Sequence, residues 1–262
     1  MKTTFTTVAI AAACVSASLS LRCLAADESA QERPAQYDHA DIQIPAASGT
    51  EPPRETVSFD LAHRYLEDGA TAWNGRYQCI TCHTNGTYMF VRPALSATLG
   101  KPDDTTRELF VSELQSFLES DRDALQDGVQ PAQVVYLAAG LAEWDAHVTG
   151  QLSDETERAL QLMLEVQNEH GSWASEDCWP PYESSSYHLA TVAAMAVATA
   201  PGWQQDHAAA DGTHHNSVQK LQKHLRTEAP HDYGRTLLLW AATRMPGLLD
   251  ENRQRRLIDM LS

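Results

Sequence analysis

The feature that most constrains this chain is a helical hydrophobic pattern that returns at a long, nearly fixed spacing. Leu66 in "HRYLEDGATAW" is matched by Leu164 in "QLMLEVQNEHGSW", 98 residues on, and by Leu261 in "IDMLS", 97 further. "PAQVVYLAAGLAEW" from residue 131 is echoed by "PHDYGRTLLLWAATRM" from residue 230, allowing a short indel. Repeats of this kind build folds in which each unit buries its apolar face against the next.

Within the repeats, apolar residues recur at helical spacing and strand-like alternation is scarce, so the spacing predicts an all-α fold. The predicted helices are 56–70, 87–99, 104–119, 131–146, 154–167, 186–200, 215–226, 233–244 and 250–261. In "DETERALQLMLEV", Ala159, Leu160, Met163, Leu164 and Val166 form one apolar face, opened by Ser153 or Asp154 as N-cap. "YHLATVAAMAVATA" is apolar nearly all round and is expected to be an inner helix. Each unit therefore reads as hairpins of an outer amphipathic and an inner apolar helix. The third unit stops after its first helix, so the chain is either a short version of the fold or part of a longer one.

The first 26 residues read as a secretory signal: Lys2, the apolar run "VAIAAACVSASLSL", then small residues around Cys23, Ala25 and Ala26. The run is short for a membrane span, no later stretch is long and apolar enough, and an exported or periplasmic protein is expected. Residues 27–54 are polar and proline-rich, the composition of a flexible leader, and 55–262 form the repeat domain. Without Lys2 and Arg22 the charge becomes 17 − 35 = −18, which disfavours nucleic acid and anionic membrane surfaces. Three cysteines then remain, Cys79, Cys82 and Cys178, too few for a disulfide scaffold.

"RYQCITCHTNGTYMF" carries the chemistry-bearing motif: Cys79, Cys82 and His83 in CxxCH spacing. Two thiols can add to the vinyl groups of a haem while the adjacent histidine ligates iron, so haem c with His83 on the iron is the leading expectation. The second axial ligand is not fixed: Met89, His63, His188, His207, His214, His215, His224 and His231 are the candidates. Cys79 and Cys82 could instead form a disulfide outside the cytoplasm. With His83 and Cys178, which sits one repeat on, they could also hold zinc. Downstream, Tyr88 and Arg92 share a helix face. Arg92 could pair with a haem propionate, or with an acid or a helix C-terminus. Pro93 is expected to start or kink a helix. The histidines of "DHAAADGTHHNS" are read as a linker between repeats, and Trp179, Tyr182 and Glu183 of "WPPYESSS" as loop packing that could line a mouth for an apolar small molecule.

"ALQLMLEVQNEHGSWASEDCWPPYESSSYHLATVAAMAVATAPG" resembles the repeat of squalene–hopene cyclases and protein prenyltransferase β-subunits. Their outer helix ends in Gln and a Gly-x-Trp follows; here these are Gln167, Gly171 and Trp173, with His170 in place of the usual acid. The resemblance implies an α/α toroid or an incomplete toroid, an inner ring of helices inside an outer one. "CITCHTNGTYMFVRPAL" ahead of it is similar to exported bacterial squalene-cyclase-like proteins bearing a CxxCH. The family's activities fit less well. The cyclase Asp-x-Asp-Asp is reduced to Asp103 and Asp104, and the prenyltransferase zinc set is not matched by Glu176, Asp177, Cys178 and His188. The reading is thus a haem-bearing exported toroid with a redox partner or small ligand, or a haem-free binding module, with isoprenoid chemistry third.

Overall fold

A computed structural model describes residues 35–45, 49, 52–176, 185–209 and 212–262. Cys178, Asp177, Trp179, Tyr182 and Glu183 lie outside the described residues, as does the expected signal segment.

Among the described residues the fold is all-α apart from one hairpin. Strands β1 (Ala35–His39) and β2 (Ile42–Pro45) pair antiparallel. They lie inside the stretch expected to be a flexible leader, and they pack on the first helix, α1 (Phe59–Tyr77). The expected α1 was 56–70; the helix instead runs on through Gly75, seven residues further. Gly75 is small because the His39 imidazole lies over it, where a Cβ would come within 2.0 Å of the ring. Gln78 then ends α1 in the left-handed region, φ 50°, and turns the chain into the Cys79–His83 loop.

The next predicted helix is broken where Pro93 stands. Helix α2 (Asn85–Val91) stops, a 3₁₀ turn takes Pro93–Leu95 with proline at its head, and α3 (Ser96–Leu99) follows. The remaining helices fall close to expectation: α4 (Thr105–Glu119), α5 (Gln130–Trp144), α6 (Asp154–Glu165), α7 (Ser186–Thr199), a short α8 (Trp203–His207), α9 (His215–Thr227), α10 (Asp232–Ala242) and α11 (Glu251–Leu261). Among the described residues α8, a 3₁₀ turn at Ala124–Gln126 and a π-helical turn at Asp145–Thr149 were unforeseen. Helix starts follow their caps: Ser58, Ser153, Ser185 and Asp250 each accept an amide hydrogen from three residues on. Asp154, Glu155 and Glu157 add negative charge where the α6 dipole is positive.

The helices sort into two layers by their pattern. Helices α5 and α7 are apolar and buried almost throughout, and α5 lies between α2 and α7. Helix α10 packs on the far side of α7. This inner row is parallel. Gly86 faces Tyr136 and Met89 faces Gly140 across α2 and α5. Tyr136, His188 and Tyr233 meet at the N-terminal ends of α5, α7 and α10. Glu143, Thr199 and Arg244 meet at their C-terminal ends. The amphipathic helices α1, α4, α6, α9 and α11 cover the row. One contiguous core joins them, including fully buried Trp144, Trp173 and Trp203. No helix among the described residues is long and apolar enough to cross a membrane.

Candidate functional site

The Cys79–His83 loop links α1 to α2 and is held from outside the motif. Asn85, the first residue of α2 and fully buried, accepts the Thr81 amide hydrogen at 2.9 Å. Its Nδ2 donates to Cys79 O at 2.9 Å and to Asn74 Oδ1 at 2.8 Å. Asn74 in turn donates to Thr106 Oγ1 of α4 at 3.0 Å, so the loop is tied to two outer helices. The Trp73 indole N–H also donates to Cys79 O, at 3.1 Å. Gln133 of α5 donates to Ile80 O at 3.0 Å, Thr87 donates to Cys82 O, and the Gly86 amide donates to Thr81 O at 2.9 Å. A Cβ on Gly86 would sit 2.3 Å from that Thr81 oxygen, so only glycine lets the loop close on the helix.

The loop's backbone is therefore fixed, and the motif's side chains project from a rigid frame. Cys79 is buried and Cys82 half-buried. His83 lies edge-on to the Trp73 ring, centroids 5.1 Å apart. Burial lowers its pKa below 6.5, so the imidazole is neutral at neutral pH. Next to it, Thr84 Oγ1 is buried without a hydrogen-bond partner among the described residues. Cys82 lies near Tyr136, whose phenol is pushed above its ordinary range by burial first and by the thiolate's charge second. Tyr136 OH meets His188 Nε2 at 3.2 Å, and His188 Nδ1 meets Tyr233 OH at 3.2 Å. A polar row thus crosses the inner helices at the loop's end of the molecule.

The other expected residues are dispersed. Arg92 sits at the opposite end of α2 from His83. Its Nη1 donates to Gly100 O at 3.0 Å, Nη2 to Leu99 O at 3.4 Å, and Nε to His63 Nε2 at 2.7 Å. It therefore meets the C-terminus of α3, one of the three partners the sequence offered. Tyr88 beside it donates to Glu67 Oε1 at 3.2 Å. Met89 is fully buried against Gly140, and His207 and His214 stack on the buried Trp203 ring. Of the candidate sixth ligands, His188 bonds Tyr136, the phenol that feels the charge of Cys82. Among the described residues no group of three or more His, Cys, Asp or Glu is arranged to hold a metal ion.

Sequence reasoning missed the side chains that build the frame. Asn74, Asn85 and Gln133 look like loop or surface polar residues until burial shows them bonded. It also missed Glu143, fully buried near the far end of α5, whose Oε1 pairs with Arg244 and whose Oε2 lies 3.2 Å from His147 Nε2. Burial pushes this carboxyl up, against the pull of Arg244 and His147.

The turn after α6 carries the Gln167–Trp173 motif. Gln167 donates to Ser217 O of α9 at 3.2 Å. Gly171, at φ +87°, lies against the α9 backbone, where a Cβ would meet Lys220 O at 2.3 Å. Asn168 accepts from the amides of His170 and Ser172, and buried Trp173 donates to Met163 O at 2.8 Å. The turn is a clamp between successive outer helices. No family model, curated protein or solved structure matches the chain.

Proposed function

We propose that the chain is an exported haem-c protein built on an α/α toroid, or part of one, of the terpenoid-cyclase kind. Four features support the architecture: the alternation of outer and inner helices, the parallel inner row, the cover of amphipathic helices, and the Gln167–Gly171–Trp173 clamp.

The haem reading rests on one observation. Six hydrogen bonds go to the carbonyls and amides of the Cys79–His83 loop and hold its backbone from residues around the motif. The donors fit the group. Cys79 and Cys82 offer thiols in the order thioether formation needs, and His83 offers a neutral imidazole. Thr84 Oγ1 offers a buried polar atom in need of a partner. When bound, the haem would supply one-electron or ligand-binding chemistry. The chain's own part is to orient His83 against Trp73 and to shield that face from water.

Expression with a cytochrome c maturation system tests the reading. A pyridine haemochrome spectrum of thioether-linked haem is expected for the wild type, and is expected to vanish in Cys79→Ser/Cys82→Ser. A wild type that carries no haem overturns it, and zinc analysis with thiol titration then separates a metal site from a disulfide.

A further inference from the structure

Charge is divided unevenly along the chain. Residues 212–262 hold eight Lys and Arg against five Asp and Glu, whereas residues 27–211 hold nine against thirty. The division falls on two outer helices with corresponding places in the fold: α4 precedes the inner helix α5, and α9 precedes the inner helix α10. Helix α4 carries Glu108, Glu113 and Glu119, and its one cation, Arg107, pairs with Glu155. Helix α9 carries Lys220, Lys223 and Arg226 and no acid. Each buries an apolar face, with Phe110, Leu114 and Phe117 in α4 and Val218, Leu221 and Leu225 in α9. Packing accounts for those inward faces. It does not account for opposite signs on the outward ones.

The outward side of α9 is a shallow groove lined by Asn216, Gln219, Lys220, Lys223 and Arg226, and among the described residues no carboxylate lines it. Lys220 and Lys223 are exposed, and none of the three cations joins an ion pair among the described residues. Like charges one turn apart destabilise a helix, so the fold gains nothing from this row. Glu169 and Glu228 stand in an adjoining hollow with His170 and His224. A complementary edge lies on the same chain, between α4 and α5. Glu119, Asp121, Asp123 and Asp127 are exposed there, and none joins an ion pair among the described residues. Arg122, the one cation of that stretch, is taken by Glu165.

We infer that α9 is a docking surface for a second copy of this chain, its Lys220–Lys223–Arg226 groove taking the Glu119–Asp127 edge of the next copy. An extended polyanion, a membrane or a nucleic acid, would meet the acids that surround the groove elsewhere on the chain. A short acidic edge meets the groove alone. At −16 overall, two copies repel at a distance. In about 0.15 M salt, charges more than about 8 Å apart are largely screened, whereas facing pairs at contact are not. The contact joins two different patches, so it closes as a two-fold pair that uses each patch twice, or it extends into a chain. It does not depend on haem.

The test is sedimentation velocity of the full chain over a dilution series in about 0.15 M salt. A species larger than the monomer is expected, dissociating on dilution. Lys220→Glu/Lys223→Glu and, separately, Asp121→Lys/Asp123→Lys set like charges face to face, and each pair is expected to weaken association at least about tenfold. All four positions are exposed, so each variant is expected to keep the wild-type thermal unfolding curve. An equimolar mixture of the two variants restores opposite charges across the contact, and the larger species is expected to return. A wild type that stays monomeric at every concentration, association unchanged by either pair of substitutions, or a mixture that stays monomeric would each overturn the inference.

Discussion

The turn after α1 and the turn after α6 do the same topological work, and they use their residues in opposite ways. After α6, the motif residues themselves make the clamp: Gln167 binds α9, Gly171 lies on its backbone, and Trp173 is buried with its indole bonded to α6. After α1, the clamp comes from neighbours. Asn74, Asn85, Gln133, Thr87 and Trp73 hold the loop by its backbone. A motif whose side chains make the fold's own contacts is explained by the fold. A motif carried on a frame built by other residues calls for a chemical explanation.

The sharpest way to break the contrast is to remove each turn's central side chain. Trp173→Ala leaves a large cavity in the core and a Met163 carbonyl without its indole partner; a loss of about 3–5 kcal/mol is expected in urea unfolding. Asn85→Ala removes three hydrogen bonds at a buried site. It is expected to cost about 1–3 kcal/mol and to lower haem incorporation along with stability. A haem yield unchanged by Asn85→Ala would separate the frame from the motif. Gln167→Ala gives up one half-buried bond to Ser217 O and should cost about 1 kcal/mol without touching haem content.

The smallest effect expected is on pH dependence. Burial lowers the pKa of His83, His214 and His224 below 6.5 in the folded chain. As pH falls through 6.5 the unfolded chain takes up these protons first, so stability is full above that pH and declines below it. Melting temperatures at pH 7.5 and pH 5.5 should differ in that direction, and His224→Gln should reduce the difference. A melting temperature that rises on acidification over this range would contradict the assignment.

Most of the helices were legible because helical periodicity survives in sequence, and the inner helices because "VVYLAAGLAEW" and "HLATVAAMAVAT" have no polar face. The hairpin was not. Tyr37, His39, Ile42 and Ile44 alternate too briefly to stand out, and the strands gain their support from α1, a long-range contact no local pattern reports. The extension of α1 was hidden by Gly75, which reads as a helix breaker but sits where the His39 ring approaches. At the site, the CxxCH spacing was plain, whereas its frame was not. Asn85 lies in "CHTNG", which reads as a turn, and only burial shows that its amide bonds three partners. For Arg92 the sequence offered a haem propionate, an acid or a helix C-terminus, and only the fold shows its guanidinium on the carbonyls that end α3.

We propose that the Cys79–His83 loop is a covalent haem site on a backbone held by residues outside the motif. Intact-protein mass spectrometry of the denatured chain, expressed with cytochrome c maturation machinery, tests it most directly. The account expects the apoprotein mass plus one haem, lost in Cys79→Ser/Cys82→Ser while that variant keeps the wild-type circular dichroism spectrum. A denatured chain at the apoprotein mass alone would contradict it.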